Sequence, residues 1–319
     1  LYLIFAVVGT SSVTCAAVPY SKVASAWFQE KRGLVLGLFL GLGAGAGSAV
    51  ISQVARVLIA ELGWRDARLA LSGLILLIPL PLMYFFLREP SHHAQGSGAA
   101  STARPAQSGM SSSEARRTRA FWMMFVMVFV GTVALAGTVI HMVAMLTDQG
   151  LSMAGATTVY SFYAIASIAG RVLIGWAQDK TESPKIGLSV YAAALTGLLM
   201  LRYGTTLPVL IPGAMLVGLG FGAQVSLAAY WVSRYWGLRC YGENYGYIYS
   251  AASAGAALGP LVMGAIFDFS GSYTLALTIF QGAMLFCGVM VCLMGDYVFS
   301  TRRAKAEPAE TLQPSEASA

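Results

Sequence analysis

Charge is scarce in this chain. Only 11% of its 319 residues are Asp, Glu, Lys or Arg, and the mean hydropathy is +0.67. A soluble domain carries roughly 25% charged residues, so a soluble globular fold is excluded. Paired cysteines are missing too. Cys15, Cys240, Cys287 and Cys292 form no CxxC, and all lie in or beside apolar runs. They read as small buried residues and not as a disulfide framework or a metal site. No acid stands in the middle of any apolar run, which leaves no carboxylate pair for acid–base or metal chemistry. No enzyme and no cofactor is expected. The longest polar stretch is a short linker, so a receptor with a large soluble domain is not expected either. A net charge of +6 does not point to nucleic acid, because the placement of the charges matters more than their sum.

What is there is hydrophobic, 57% of the chain. Nine runs approach the about 20 residues needed to cross a bilayer. They cover 1–27, 33–60, 69–87, 121–146, 153–177, 186–203, 207–232, 245–267 and 274–298. A bilayer forces such runs into helices, since their backbone groups must be satisfied internally. Most Lys and Arg fall in alternate loops, among them Lys31, Arg32, Arg116, Arg117, Lys180, Lys185, Arg234 and Arg239. The positive-inside rule makes those loops cytosolic. The expectation is a multi-pass protein of the cell (inner or plasma) membrane with its C-terminus in the cytoplasm.

Residues 91–112 are rich in Ser, Gly, Ala and Pro without apolar period and read as a flexible linker. It leads into Ser111-Ser-Ser-Glu114, the pattern of a capping box. The expected organisation is 1–90 as three helices, 91–119 as cytosolic linker, 120–298 as six helices, and 299–319 as a cytosolic tail. Spans one to three resemble spans seven to nine. Lys31-Arg32-Gly33-x-x-x-Gly37 and Gly63-Trp64-Arg65 are answered by Arg239, Gly242-x-x-x-Gly246 and Gly271-Ser272-Tyr273 at nearly the same separation. Parallel repeats mark a carrier built from two related halves. The first half then shows only three of its six helices, and we read the chain as lacking an upstream part.

One helix carries an arginine: Ser161 to Lys180 is apolar except for Arg171 and ends in Gly175-x-x-x-Asp179-Lys180. An arginine in such a run faces a partner, water or a ligand, or snorkels to the nearer surface. A guanidinium in a central cavity can hold a carboxylate through two parallel bonds. His141, in the seventh helix of a twelve-helix count, can bond the solute or relay a proton; the plainer reading is a bond to a neighbouring helix. Tyr163, Ser167, Tyr249, Ser250 and Ser253 are further candidates to line the cavity, with packing the plainer role for the aromatics. Gly33, Gly37, Gly41 and Gly45 recur every four residues, a face for close helix contact. Gly41-Leu-Gly43 and Gly218-Leu-Gly-Phe-Gly222 mimic nucleotide fingerprints, but no strand precedes them and both lie in apolar runs. No metal is expected, because no second ligand stands at helical spacing from His141.

These residues resemble the major facilitator superfamily, from its fourth transmembrane helix onward. Gly175-x-x-x-Asp179-Lys180 looks like that family's loop motif after helix eight, although Thr181-Glu-Ser-Pro lacks its usual glycine and further basic residues. Trp27-Phe28-x-x-Lys31-Arg32-Gly33-x-x-x-Gly37 looks like the junction of helices four and five in the monocarboxylate and oxalate–formate branch. Tyr241-Gly-x-x-Tyr245-Gly-x-x-Tyr249, Leu258-Gly-Pro260 and Phe267-Asp-x-x-Gly271-Ser-Tyr273 are similar to helix eleven there. The resemblance implies an all-α bundle with nine of twelve helices present, working by alternating access. It implies a substrate role for Arg171, four residues before Gly175, and a glycine face sliding between helices five and eight. Asp179 and Lys180 read as a conformational latch. Ser167 stands where that branch often has an acid, and helix eleven lacks the lysine of oxalate–formate relatives, which favours one carboxylate over two. The expected solute is a small organic anion, moved with protons or in exchange, by a monomer in the lipid bilayer. The rival reading is a carrier of drugs or other neutral or cationic solutes, with Arg171 structural.

Overall fold

The computed structural model describes residues 32–38, 44–78, 109–181 and 183–297, together with Ser21 and Pro81. Nine helices lie in that range: α1 (Arg32–Leu38), α2 (Ala44–Leu77), α3 (Ser112–Arg116), α4 (Arg119–Asp148), α5 (Met153–Lys180), α6 (Ile186–Tyr203), α7 (Leu207–Trp236), α8 (Tyr241–Ser270) and α9 (Thr274–Leu293). α4 to α9 are each long and apolar enough to cross a membrane. They reproduce the last six expected spans. The first expected span, 1–27, lies outside the described residues apart from Ser21. The second falls on α1 and the first part of α2. The third begins in the last part of α2, and its stretch beyond Ile78 is described only at Pro81. Gly63 interrupts α2 with φ 76° and ψ 168°, where the sequence expected Gly63-Trp64-Arg65 to turn between spans.

Side chains close the helix starts. The Thr118 hydroxyl accepts from the Phe121 N–H at α4, and the Ser152 hydroxyl from the Gly155 N–H at α5. Large apolar residues such as Ile165, Leu261 and Leu285 remain on the outer surface, as a bilayer permits.

Two crossings fix the bundle. α5 passes α7 where a Cβ on Gly218 would run into the Tyr163 carbonyl, and one on Gly222 into the Ser167 carbonyl. α4 passes α8 where a Cβ on Gly137 would lie 2.7 Å from the Gly259 carbonyl. The glycines of the nucleotide-like pattern therefore serve backbone approach. Polar groups tie the same helices: Gln224 Nε2 donates to the Val128 carbonyl and to Thr132 Oγ1, joining α7 to α4. α6 meets α9 through Gln281, which donates to the Leu198 carbonyl and accepts from Arg202. α1 packs along α5 and α7. Gly33, Gly37 and Gly45 lie in α1 and α2, and Gly41 lies outside the described residues.

Residues 91–108 of the expected linker are outside the described range. Its last residues are held in place. Gly109 bridges to Gly237, the Met110 N–H donates to the Trp236 carbonyl, and Ser112 Oγ donates to Asn244. The capping box forms, but it starts the short α3 and not a membrane span.

Candidate functional site

Arg171 sits nine residues from the Lys180 end of α5, about 14 Å at about 1.5 Å per residue. It is half-buried. Tyr163 of α5 and Tyr245 and Tyr249 of α8 stand within electrostatic reach of its guanidinium. Tyr163 is buried and hydrogen-bonded to Ser167, one turn on. Tyr245 is 1% exposed, and its hydroxyl has no hydrogen-bond partner. It stacks on Tyr241 with ring centroids 5.6 Å apart, and Tyr249 follows at 6.0 Å. Spacing of four residues puts the three rings on one helix face. The arrangement is a half-buried cation with three phenols within electrostatic reach, and a guanidinium so placed can bind an anion through charge-assisted hydrogen bonds.

Ser250 and Ser253 lie on the same stretch of α8 and are exposed. Each donates to a carbonyl of its own helix, Tyr247 and Tyr249 respectively. Their oxygens keep lone pairs for a further donor. His141 stands elsewhere. Its Nε2 donates to the Pro260 carbonyl at 3.1 Å, and its Nδ1 lies 3.3 Å from the Tyr273 hydroxyl. Pro260 is eleven residues along α8 from Tyr249, about 16 Å. The fold brings Arg171, Tyr163 and Ser167 together and leaves His141 apart from them.

The Gly175-x-x-x-Asp179-Lys180 segment meets α1. Asp179 Oδ2 accepts from the Leu34 N–H at 2.8 Å. Gly175 is buried, and Lys180 turns back over the Trp176 ring, 4.1 Å from its centroid. α7 supports the same place. Tyr230 donates to the Gln178 carbonyl, and Arg234 Nε donates to the Tyr230 hydroxyl. The Gln178 side chain is 1% exposed, and neither end of its amide has a hydrogen-bond partner. Sequence reasoning missed Gln178, Tyr230 and Arg234 here. Tyr230 and Arg234 are one turn apart near the end of α7, a spacing that could have drawn notice. Among the described residues no group of three or more His, Cys, Asp or Glu could hold a metal ion.

Comparison with known proteins agrees with this architecture. The sequence profile described as Major Facilitator Superfamily matches residues 1–250. An uncharacterized 38 kDa protein of Thermoproteus tenax is 29% identical over 79% of this chain and 60% of its own length. Mouse monocarboxylate transporter 12 is 23% identical over 91% of this chain and 65% of its own, and bovine monocarboxylate transporter 13 is 27% identical over 96% and 70%. The chain thus spans less than two thirds of the length of the first two. Among solved structures, the Escherichia coli fucose:proton symporter FucP superposes with a TM-score of 0.64 at 14% identity, covering 89% of this chain and 74% of that one. The human organic anion transporter TETRAN gives 0.54 at 17% identity, covering 85% and 66%. At these identities the solved structures speak for the fold. The profile match spans most of the sequence, and the chain belongs to the major facilitator superfamily.

Proposed function

We propose that this chain is the greater part of a secondary active transporter for a small organic anion, a monocarboxylate, working by alternating access between two helical halves. The observation that carries this reading is the half-buried Arg171 among Tyr163, Tyr245 and Tyr249. The guanidinium holds the carboxylate, and Tyr163, Ser167, Ser250 and Ser253 border the solute. The names of the monocarboxylate transporters among its relatives support the solute class. Asp179 on the Leu34 N–H acts as the latch of one closed state, with Gly175 and Lys180 in the same turn. Protons or a counter-anion drive the movement, and the carrier works as a monomer in a cell membrane with its C-terminus in the cytoplasm.

The test is uptake by the full-length carrier in proteoliposomes. Short monocarboxylic acids should be taken up, and organic cations or sugars of similar size should not. Uptake of cations with none of acids would favour the rival carrier of drugs and neutral solutes.

A further inference from the structure

The six long helices fall into two bodies. In one, α7 packs against α5 and α6; in the other, α4 packs against α8 and α9. Within each body glycine lets backbones touch. A Cβ on Gly170 of α5 would run into the Leu219 carbonyl of α7, and one on Gly197 of α6 would lie 2.6 Å from the Gly213 carbonyl of α7. In the second body a Cβ on Gly255 of α8 would lie 2.7 Å from the Phe129 carbonyl of α4. Between the bodies the helix glycines meet side chains instead. Gly131 of α4 faces Gln224 and Tyr191, and Gly288 of α9 faces Leu188. Backbone crossings hold each body rigid, and a seam of side chains between them is where sliding is least opposed.

Two glutamines cross the seam, one from each body. Gln281 of α9 donates to the Leu198 carbonyl and accepts from Arg202, near the last turn of α6. Gln224 of α7 crosses midway. Its Nε2 donates to the Val128 carbonyl and to Thr132 Oγ1, each at 3.1 Å, and the residue is 3% exposed. Thr132 stands between this amide and α8, since a Cβ on Gly255 would lie 3.0 Å from Thr132 Cβ. On the other side, Gln224 is two residues past Gly222, which meets the Ser167 carbonyl one turn before Arg171. From Arg171 to α8 the fold therefore runs through two backbone crossings and one amide. Further bonds over the seam lie toward the Lys180 end, where the Tyr241 hydroxyl donates to the Ala229 carbonyl and Trp236 Nε1 to Thr118 Oγ1.

We propose that Gln224 is a positioning residue for the Arg171 site. Its amide sets how far the body carrying Arg171 stands from the body carrying Tyr245 and Tyr249. Both Nε2 hydrogens are committed to α4, so one body slides on the other only by breaking a buried bond. Gln224 acts through this spacing and not by touching the solute. The proposal rests on the reading of Arg171 as the cation that holds the carboxylate.

Spin labels at Ile165 of α5 and Leu261 of α8, both exposed, report the spacing in the full-length carrier in lipid nanodiscs, with its native cysteines replaced by Ala. Thr132→Val keeps the side-chain shape and removes the oxygen that accepts from Gln224. Gln224→Met keeps the length and removes both bonds. Each should shift or broaden the label distance. Each should also raise the KM for a short monocarboxylate by roughly two- to tenfold, the range of one neutral hydrogen bond, at near wild-type kcat. Thr132→Ser keeps the hydroxyl and should match wild type in both readouts. An unchanged distance in Thr132→Val would overturn the proposal, whether or not Gln224→Met folds. So would a Thr132→Ser that departs from wild type as far as Thr132→Val, because shape and not the hydroxyl would then matter. A lower kcat at unchanged KM would also overturn it, placing the tie in the transport cycle and not at the site. A shifted distance with both constants unchanged would keep the spacing role of Gln224 and count against Arg171 as the carboxylate site, so the two readings fail separately.

Discussion

The Leu34 N–H donates to Asp179 Oδ2 at 2.8 Å across 145 residues of sequence. It joins the first turn of α1 to the last turn of α5. A hydrogen bond to a charged group contributes about 1.5–3 kcal/mol, and each 1.4 kcal/mol is about tenfold in an equilibrium. If this bond latches a closed state, as proposed, Asp179→Ala should shift the carrier out of it by about tenfold or more. A single cysteine at Leu36, buried in the wild-type packing, reports it. Its labelling rate should rise in Asp179→Ala and much less in Asp179→Asn, which keeps an acceptor. Equal rates in wild type and Asp179→Ala would mean that the bond does not hold the closed state.

Arg171→Lys separates a substrate role from a snorkelling one. Lysine offers a point charge where arginine offers a fork, so a carboxylate loses one charge-assisted bond. Affinity should fall by roughly ten- to a hundredfold at unchanged surface expression, and Arg171→Ala should abolish uptake. A snorkelling arginine would be replaced by lysine without effect, because both side chains reach the surface equally well. Uptake kinetics of the full-length carrier at matched expression decide between them.

The α5–α7 crossing predicts a contrast between two glycines. A methyl at Gly222 meets the Ser167 carbonyl, a backbone atom that cannot rotate away. Overpacking of this kind costs about 1–3 kcal/mol, so Gly222→Ala should lower the melting temperature in detergent or fail to fold. Gly246 of α8 has nothing within 4 Å of its Cβ position. Gly246→Ala should be neutral or slightly stabilising. Equal melting of the two variants would refute the close crossing.

Glu114 predicts an acid response outside the membrane spans. Its carboxylate accepts from the Ser111 N–H at 2.8 Å and from Ser111 Oγ at 2.9 Å, and the backbone bond is the main reason its pKa lies below the usual value. A depressed carboxyl contributes stability above its unfolded pKa and loses it as pH falls through the folded value. Protection of the α3 amides, measured against their intrinsic exchange rates, should therefore fall on acidification below the usual glutamate range. Glu114→Gln keeps an acceptor oxygen but does not titrate, so its protection should show no such step.

Sidedness is open to a labelling test. Single cysteines at Ser97 and Ser315 should resist an impermeant thiol reagent in intact cells, and one at Ser152 should react. The reverse pattern would invert the orientation taken from the basic loops.

The six long helices were legible because apolar runs of bilayer length leave the backbone no alternative. The depth of Arg171 could be counted from Lys180. What escaped were contacts between residues far apart in the chain. Nothing near His141 announces that Pro260 supplies its acceptor and Tyr273 its donor. Gln224 sits in a glycine-rich apolar run, yet it reaches Val128 and Thr132 almost a hundred residues away. The linker's last residues read as Ser/Gly filler, because their order comes from Trp236 and Asn244 and not from their own composition. Gly218 and Gly222 were correctly refused as a nucleotide loop, but only the crossing with α5 gives them a task.

Gln178 gives the α1–α5 junction a counterweight. Its amide is buried beside Asp179 with neither end bonded. An unmet buried polar group costs about 1–3 kcal/mol, close to what the Asp179 bond returns. A carrier must leave each of its states as readily as it enters them, and a junction with every partner satisfied would rest in one. Under the proposed latch, such a near-cancellation would leave an equilibrium that a bound solute, worth a few kcal/mol, is strong enough to tip.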